Sequence, residues 1–150
     1  MQKIFNIYLV MAAIAISTFG MGYAIQPFLT SSKPIIVTNS SQLKRALATA
    51  KPGDSIILKD GVYEGKFVIE ANANGTKKQP VVLTGSRNAI LDGGSTETGY
   101  VLALKASYWK LKGFTVQNGL KGIVADGANY NVIDGVFVTQ LGEEGIHFRA

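Results

Sequence analysis

A repeat in the last third of the chain decides the fold: residues 106–118 read ASYWKLKGFTVQN, and residues 128–140 read ANYNVIDGVFVTQ. The two stretches agree at apolar, glycine and polar-turn positions, with Gly113 and Gly135 at the same place in each. A second series of glycines recurs at a slightly longer spacing: Gly99, Gly122 and Gly145. Agreement at several kinds of position predicts a fold built from repeated units of one size.

A unit of this length fits one turn, or rung, of a right-handed parallel β-helix, an all-β solenoid. Three short strands and three turns use about 22 residues at roughly 3.3 Å per strand residue, which returns the chain to its starting point. An ordinary β-sandwich with coincidental spacing is the alternative, and the match of two consecutive units speaks against it. A leucine-rich repeat is excluded, because its regular leucine and asparagine frame is missing.

Alternation within each repeat assigns the interior of the solenoid. Phe114 and Val116 are expected to point inward while Thr115 and Gln117 face solvent. The next repeat has the same pattern at Val136 and Val138. Since stacked rungs lie about 4.8 Å apart, like residues should form continuous aliphatic columns.

The segment before the strands predicts a short α-helix. Asn39 followed by Gln42 forms a capping box, and Pro52-Gly53 ends the helix. Its apolar face consists of residues at helical spacing: Leu43, Ala46, Leu47 and Ala50. Such a short helix must pack on another part of the fold, and short strands are expected from Ser55 onward.

The amino terminus predicts an export signal over residues 1–24. A long uncharged run from Ile4 to Ser32 follows Lys3, and Gly22 and Ala24 supply the small side chains that a signal peptidase needs. The alternative is an uncleaved signal anchor, because the run exceeds the roughly 20 residues that span a bilayer. Either way the folded part, residues 25–150, is expected outside the cytoplasm, secreted or periplasmic, with a membrane contact only in the anchor case.

Composition excludes several classes of protein. The chain has 150 residues, of which 17% are charged and 47% apolar, a balance that favours one folded domain. The absence of cysteine excludes disulfides, thiolate metal sites and a cysteine nucleophile. The net charge of +5 is spread along the chain and not gathered into one run, which favours an anionic partner and does not point specifically to nucleic acid.

The chain resembles the start of secreted right-handed parallel β-helix proteins, in particular the pectate lyase and chondroitinase B-like polysaccharide lyases. The resemblance covers residues 35–149 and is carried by residues 37–63, by Gly75-Thr76, by Gln79-Pro80-Val81 and by residues 108–114. It implies that the helix caps the bottom of the solenoid. It also implies an acidic polysaccharide as substrate, cleaved by β-elimination.

The resemblance identifies no catalytic residue here. Such proteins generally have many more rungs, and their catalytic basic residues and calcium ligands usually lie beyond the first few. The chain ends part-way into a rung with Ile146 and Phe148 uncovered, so the sequence predicts a truncated domain that lacks the full catalytic site. No cofactor is expected within this chain, whereas Ca²⁺ is possible in a full-length homologue.

The candidate binding residues come from aligning rungs by Gly99, Gly122 and Gly145. This alignment predicts two outward columns: Val101, Val124 and His147 in one, and Ala103, Asp126 and Arg149 in the other. Asp126 would then lie one rung below Arg149, close enough for a charge-assisted pair. Such residues suit uronate chemistry, which needs a carboxylate neutraliser and a base. A structural salt bridge with a solvent-facing histidine is the alternative.

Other candidates are weaker. Trp109 or Tyr108 can stack on a sugar ring or merely cover a corner of a rung. Glu143-Glu144 are too few for a calcium site, which needs 6 to 8 oxygen ligands. Four lysines can bind a polyanionic glycan or guard the sheets against aggregation: Lys105, Lys110, Lys112 and Lys121. Asn39 and Asn74 begin N-glycosylation sequons, which matter only in a eukaryotic secretory pathway.

Two functions follow from these observations. The first is a secreted, carbohydrate-active protein of the polysaccharide lyase type. The second is a non-catalytic extracellular glycan-binding or adhesion protein on the same scaffold. A serine hydrolase is unsupported, because the chain has one histidine and no nucleophile-elbow motif.

Overall fold

The computed structural model describes residues 33–149, so the export signal predicted over residues 1–24 lies outside the described residues. The described chain forms one helix and thirteen strands, all of them paired in parallel. In chain order the elements are β1 (Ile35–Val37), α1 (Ser40–Thr49), β2 (Ser55–Leu58), β3 (Gly61–Glu64), β4 (Phe67–Ile69), β5 (Val81–Gly85), β6 (Ala89–Asp92), β7 (Tyr100–Leu104), β8 (Trp109–Lys112), β9 (Thr115–Gly119), β10 (Lys121–Asp126), β11 (Val132–Asp134), β12 (Phe137–Leu141) and β13 (Ile146–Arg149).

The strands build three sheets that enclose the core. Sheet A has the order β1-β2-β5-β8-β11, sheet B has β3-β6-β9-β12, and sheet C has β4-β7-β10-β13. From β2 onward the chain visits the sheets in turn, one strand in each, so that each rung lies on the one before it. The predicted parallel β-helix is confirmed.

The helix closes one end of this coil, and its local chemistry is as predicted. Asn39 is the N-cap, and its Oδ1 accepts a hydrogen bond from the backbone N–H of Gln42 at 2.9 Å. The Gln42 Oε1 in turn accepts from the backbone N–H of Thr38 at 2.8 Å. Leu43 and Leu47 are fully buried, and α1 packs against β1, β3 and β4. The helix therefore supplies the apolar cover that the first rung needs.

The repeat that relates Gly113 to Gly135 is confirmed in sheets A and B, where Leu111 pairs with Ile133 and Val116 with Val138. These residues and Phe114 point into the solenoid, as alternation predicted, although Thr115 is buried as well.

Sheet C departs from the glycine alignment. Gly122 and Gly145 do superpose, because Ile123 pairs with Ile146. Gly99 does not join them, since the N–H of Lys121 bonds to the Gly99 carbonyl at 3.0 Å and Val124 pairs with Ala103. The expected columns with Val101 below Val124 and Ala103 below Asp126 are therefore wrong. The cause is the longer corner over residues 93–99, which delivers the chain to β7 in a different register from the short corner before β10.

Side chains at the corner between sheets C and A link neighbouring rungs by hydrogen bonds. The Asn131 Oδ1 accepts from the backbone N–H of Trp109 at 2.7 Å, and its Nδ2 donates to the Ala106 carbonyl at 3.0 Å. One amide thus satisfies two backbone groups of the rung below. Asn129, two residues earlier, uses its Nδ2 only within its own turn, on the Gly127 carbonyl.

The contrast between these two asparagines yields a stability prediction. Replacing Asn131 by Ala leaves two backbone groups of the lower rung without partners, so we expect the free energy of unfolding to fall by about 1–3 kcal/mol. The matched change Asn129→Ala should cost less, because it removes a single bond inside an exposed turn. Urea unfolding of both variants measures this. Equal losses in the free energy of unfolding would contradict the role of Asn131 in linking the two rungs.

Candidate functional site

The outward side of sheet C, here named the sheet C face, carries most residues that the sequence put forward as a site. Leu102 and Leu104 are fully buried and point inward, so Ala103 between them points outward. Ala103 pairs with Val124, which pairs with His147. The face therefore has a floor of small apolar side chains with His147 at its upper end.

A column of charges with alternating sign borders this floor, with one residue from each rung: Glu70, Lys105, Asp126 and Arg149. The Lys105 Nζ lies 3.1 Å from the Glu70 Oε2. Asp126 is the strand partner of Arg149, as predicted. Within residues 33–149, however, the ion pairs do not include one between the Asp126 and Arg149 side chains.

The alternation keeps Lys105 charged. Its hydrogen bond and charge interaction with Glu70 raise the pKa of Lys105 above its ordinary value, and Tyr100 and Asp126 add smaller effects in the same direction. Lys105 is therefore a fixed cation, suited to meeting a carboxylate and unsuited to accepting a proton at neutral pH. Lys105 lies beside Asp126 because of the register of β7, which the sequence alignment had misplaced.

A second charged group borders the other side. Lys121 contacts both Glu144, at 2.5 Å, and Glu143, at 3.0 Å. The His147 Nδ1 lies 3.4 Å from the Glu144 Oε1. The hydrogen bonds that Lys121 donates to Glu144 and Glu143 raise the pKa of Lys121, and the bond to Glu144 lowers the pKa of that carboxyl group. Within residues 33–149 no group of three or more histidine or acidic side chains is placed to hold a metal ion.

Trp109 lies away from this face, and the expectation that it stacks on a sugar is wrong. Its side chain is 0% exposed, and its Nε1 donates to the Ala73 carbonyl at 2.7 Å inside the core. Trp109 points inward because it is the first residue of β8 and alternates with the exposed Lys110. The neighbouring Tyr108 is the aromatic side chain that reaches the surface.

Both sequon asparagines, Asn39 and Asn74, are exposed, and the amide oxygen of each accepts a hydrogen bond from a backbone N–H. Asn39 caps the helix, and the Asn74 Oδ1 accepts from the backbone N–H of Ser107 at 2.6 Å. Their glycosylation stays a prediction.

Asp92 fixes the corner that leads into the sheet C face. Its Oδ2 accepts from the Gln117 Nε2 and the Asn118 Nδ2, each at 2.7 Å, and its Oδ1 accepts from the backbone N–H of Gly94 at 2.9 Å. Partial burial opposes ionisation, but these three hydrogen bonds more than offset it and hold the pKa of Asp92 below its ordinary value.

Together these groups can bind an anionic sugar and take up a proton. Lys105 and Arg149 are cations on one border of the face, and His147 stands two residues before Arg149 on the same strand. An imidazole beside a carboxylate is of the type that serves as a general base. Lys105 and Lys121 are already paired with acids.

Comparisons with known proteins agree with this architecture. Residues 26–150 match the family described as "Pel9A-like, right handed beta helix region". A search of the curated proteins gave no match. The described part of the chain contains no helix that is long and apolar enough to cross a membrane.

Two alginate lyases are among the solved structures that resemble the chain. An alginate lyase from Paenibacillus sp. str. FPU-7 is 39% identical, with a TM-score of 0.71, and the match covers 75% of this chain and 39% of that one. The PL6 family alginate lyase AlyGC is 24% identical, with a TM-score of 0.58, over 71% of this chain and 15% of that one. The second match shows the fold alone. The chain thus spans well under half the length of either lyase.

The hydrogen bonds of Asp92 predict an acid-sensitive corner. A carboxyl group whose pKa is lowered by folding contributes stability that is full above its unfolded value, about 3.9, and is lost as pH falls through the folded value. We therefore expect Asp92→Asn to be less stable than the parent at neutral pH, and the difference to shrink as the pH falls below about 4. Thermal melting across this pH range measures it; a difference independent of pH would contradict the role of the ionised carboxylate.

Proposed function

The chain belongs to the Pel9A-like right-handed β-helix family, and from that membership we propose that it is part of an exported polysaccharide lyase that acts on an acidic glycan. The observation that carries the proposal is the 39% identity over 75% of the chain to a protein whose structure is that of an alginate lyase. Because the match covers 39% of that lyase, the activity, the substrate and the export of the whole protein are all part of the proposal.

In this proposal the glycan lies along the sheet C face. A β-elimination removes the proton on the sugar C5, next to the carboxylate, and forms a double bond as the glycosidic oxygen leaves with the electron pair. A cation at the sugar carboxylate lowers the barrier by neutralising its charge. Arg149 is the cation best placed for this role, since it is not ion-paired in the described chain, and His147 has the chemistry to accept the proton.

We assign the completion of the catalytic set to residues outside 33–149. Two inward-facing apolar side chains on the last described rung are exposed, which supports further rungs or a partner above it: Ile146 and Phe148. Phe148 is 72% exposed. A solenoid normally covers such an end with polar caps.

A non-catalytic glycan-binding or adhesion role is the second candidate. One observation favours it: Lys105 and Lys121 are both neutralised by neighbouring glutamates, as in a structural charge network.

The first test is activity and binding on alginate. We expect segment 25–150 to release no unsaturated product, measured by ultraviolet absorbance, because the catalytic set is incomplete. We expect alginate oligosaccharide to shift the backbone NMR signals of His147 and Arg149, and Arg149→Ala to weaken this response. Arg45→Ala, on the exposed side of α1, is the control. Unsaturated product that Arg149→Ala abolishes would show the set to be complete, and unchanged signals on the sheet C face would contradict its role in binding.

The second test concerns the apolar end. Burial of a large apolar side chain is worth roughly 1.5–3 kcal/mol, so the exposed end should drive self-association of segment 25–150. Replacing Phe148 by Ser should reduce association, whereas Val62→Ser, at an exposed apolar residue on sheet B, should not. Light scattering at several concentrations decides this. A monodisperse parent segment would contradict the proposal that further rungs or a partner cover this end.

A further inference from the structure

A pocket at the corner between sheets C and A shares no residue with the sheet C face. This pocket, here named the Tyr–Lys pocket, is open to solvent and has a volume of about 580 Å³. Its walls combine two aromatic rings with three ammonium groups: Tyr108, Tyr130, Lys77, Lys78 and Lys110. We propose that the Tyr–Lys pocket is a second, non-catalytic binding site for an acidic glycan.

The two tyrosines form a platform. Their rings are stacked with centroids 4.9 Å apart and planes inclined by 14°. Tyr130 is 75% exposed, so its ring is accessible to solvent. A flat apolar ring with a polar hydroxyl at its edge is suited to the apolar side of a pyranose ring and to the hydroxyl groups around it.

The backbone conformation at this corner is unfavourable for tyrosine, which indicates that the two rings have a role other than forming the turn. Tyr108 and Tyr130 have φ values of 61° and 57°, in the left-handed region that bulky side chains avoid. At the corner between sheets B and C, the same conformation is taken by Asn118 and Gln140, with φ values of 52° and 51°. Asparagine tolerates this region because its side chain bonds locally. Tyrosine at both positions is thus not explained by the turn.

Two of the three lysines belong to a closed turn over residues 76–79. The backbone groups of Thr76 and Gln79 bond reciprocally, at 3.0 and 3.1 Å, and the Thr76 hydroxyl accepts from the Gln79 N–H at 3.0 Å. Lys77 and Lys78 form the tip of this closed turn. Lys110 projects from β8 into the same pocket.

The charge of the pocket is uncompensated, unlike that of Lys105 and Lys121 on the sheet C face. No residue of its lining is acidic, and within residues 33–149 the ion pairs do not involve Lys77, Lys78 or Lys110. Of the four lysines that the sequence singled out, the other three are paired with acids: Lys105, Lys112 and Lys121. A polyanion can therefore bind in the pocket without breaking an existing ion pair.

These features together specify the ligand class. Neighbouring cations favour a chain that carries a negative charge on successive units, and the aromatic platform favours a sugar over an inorganic anion. The choice of a uronic acid polymer rests on the proposed function. The pocket would hold such a polymer while the sheet C face contacts another part of it, so that one chain engages both sites.

The test is an NMR titration of the full chain with alginate oligosaccharide, and with a neutral cellulose-derived oligosaccharide of equal length. We expect alginate to shift the signals of Tyr130, Lys77 and Lys78. Tyr130→Asn should weaken binding at the pocket by about tenfold, equivalent to about 1.4 kcal/mol, while stability is unchanged or raised, since asparagine relaxes the backbone. Lys77→Gln with Lys78→Gln should remove the preference for alginate and its salt dependence.

The matched control is Lys112→Gln, on the same strand as Lys110 but paired with Asp134, and it should leave binding unchanged. A pocket that stays silent while the sheet C face responds would overturn the second site and leave the proposed function standing. If the pocket responds while the sheet C face stays silent, the proposed function of that face is overturned and the second site stands. If Tyr130→Asn lowers the melting temperature and leaves alginate binding unchanged, the tyrosines form only a structural stack, and the proposal is wrong.

Discussion

Everything in this structure depends on the parallel hydrogen bonding of each rung to the rung below. A parallel strand satisfies its backbone groups only when its neighbours run beside it in a fixed register. The chain must therefore return to the same three sheets on every turn, and any additional residues must be inserted in a corner between two sheets. Residues 93–99 are such an insertion, and the shift of Gly99 relative to Gly122 is its consequence. The rigid sheets and the variable corners are two results of one constraint.

The same constraint organises the outer surface into columns. Side chains at equivalent positions lie about 4.8 Å apart in successive rungs, a distance at which like charges repel and opposite charges attract. The alternation from Glu70 through Lys105 and Asp126 to Arg149 satisfies this condition on the sheet C face. At the corner between sheets C and A, stacking instead brings Tyr108 and Tyr130 into contact. Repetition of the rung thus creates an extended charged column and an aromatic platform from single side chains.

The sequence predicted the fold well because a column needs similar residues at a fixed spacing, and Gly113, Gly135 and the apolar residues around them record it directly. It predicted the outward surface less well. Gly99 has a φ of 75°, whereas at Gly122 a Cβ would collide with the Gly145 carbonyl. These glycines serve different purposes, so the series of Gly99 with Gly122 and Gly145 misled the alignment of sheet C. Trp109 was misplaced because a large aromatic residue serves equally as a core residue and as a sugar platform, and only the direction of β8 separates the two. The Tyr–Lys pocket needed the structure, since its lysines come from a loop and from a strand in different rungs.

The sheet C face and the Tyr–Lys pocket differ most in the ion pairs that a bound polyanion must displace. A sugar carboxylate that approaches Lys105 competes with Glu70, and one that approaches Lys121 competes with two glutamates, so each new contact costs an existing one. At the Tyr–Lys pocket no such exchange is needed, and the full attraction contributes to binding. Weak ground-state binding on the face that would contact the reacting sugar is consistent with catalysis, because only interactions that strengthen in the transition state accelerate a reaction. Strong binding is then better located away from the reacting sugar, where it holds the polymer without stabilising the bound substrate at the site of cleavage.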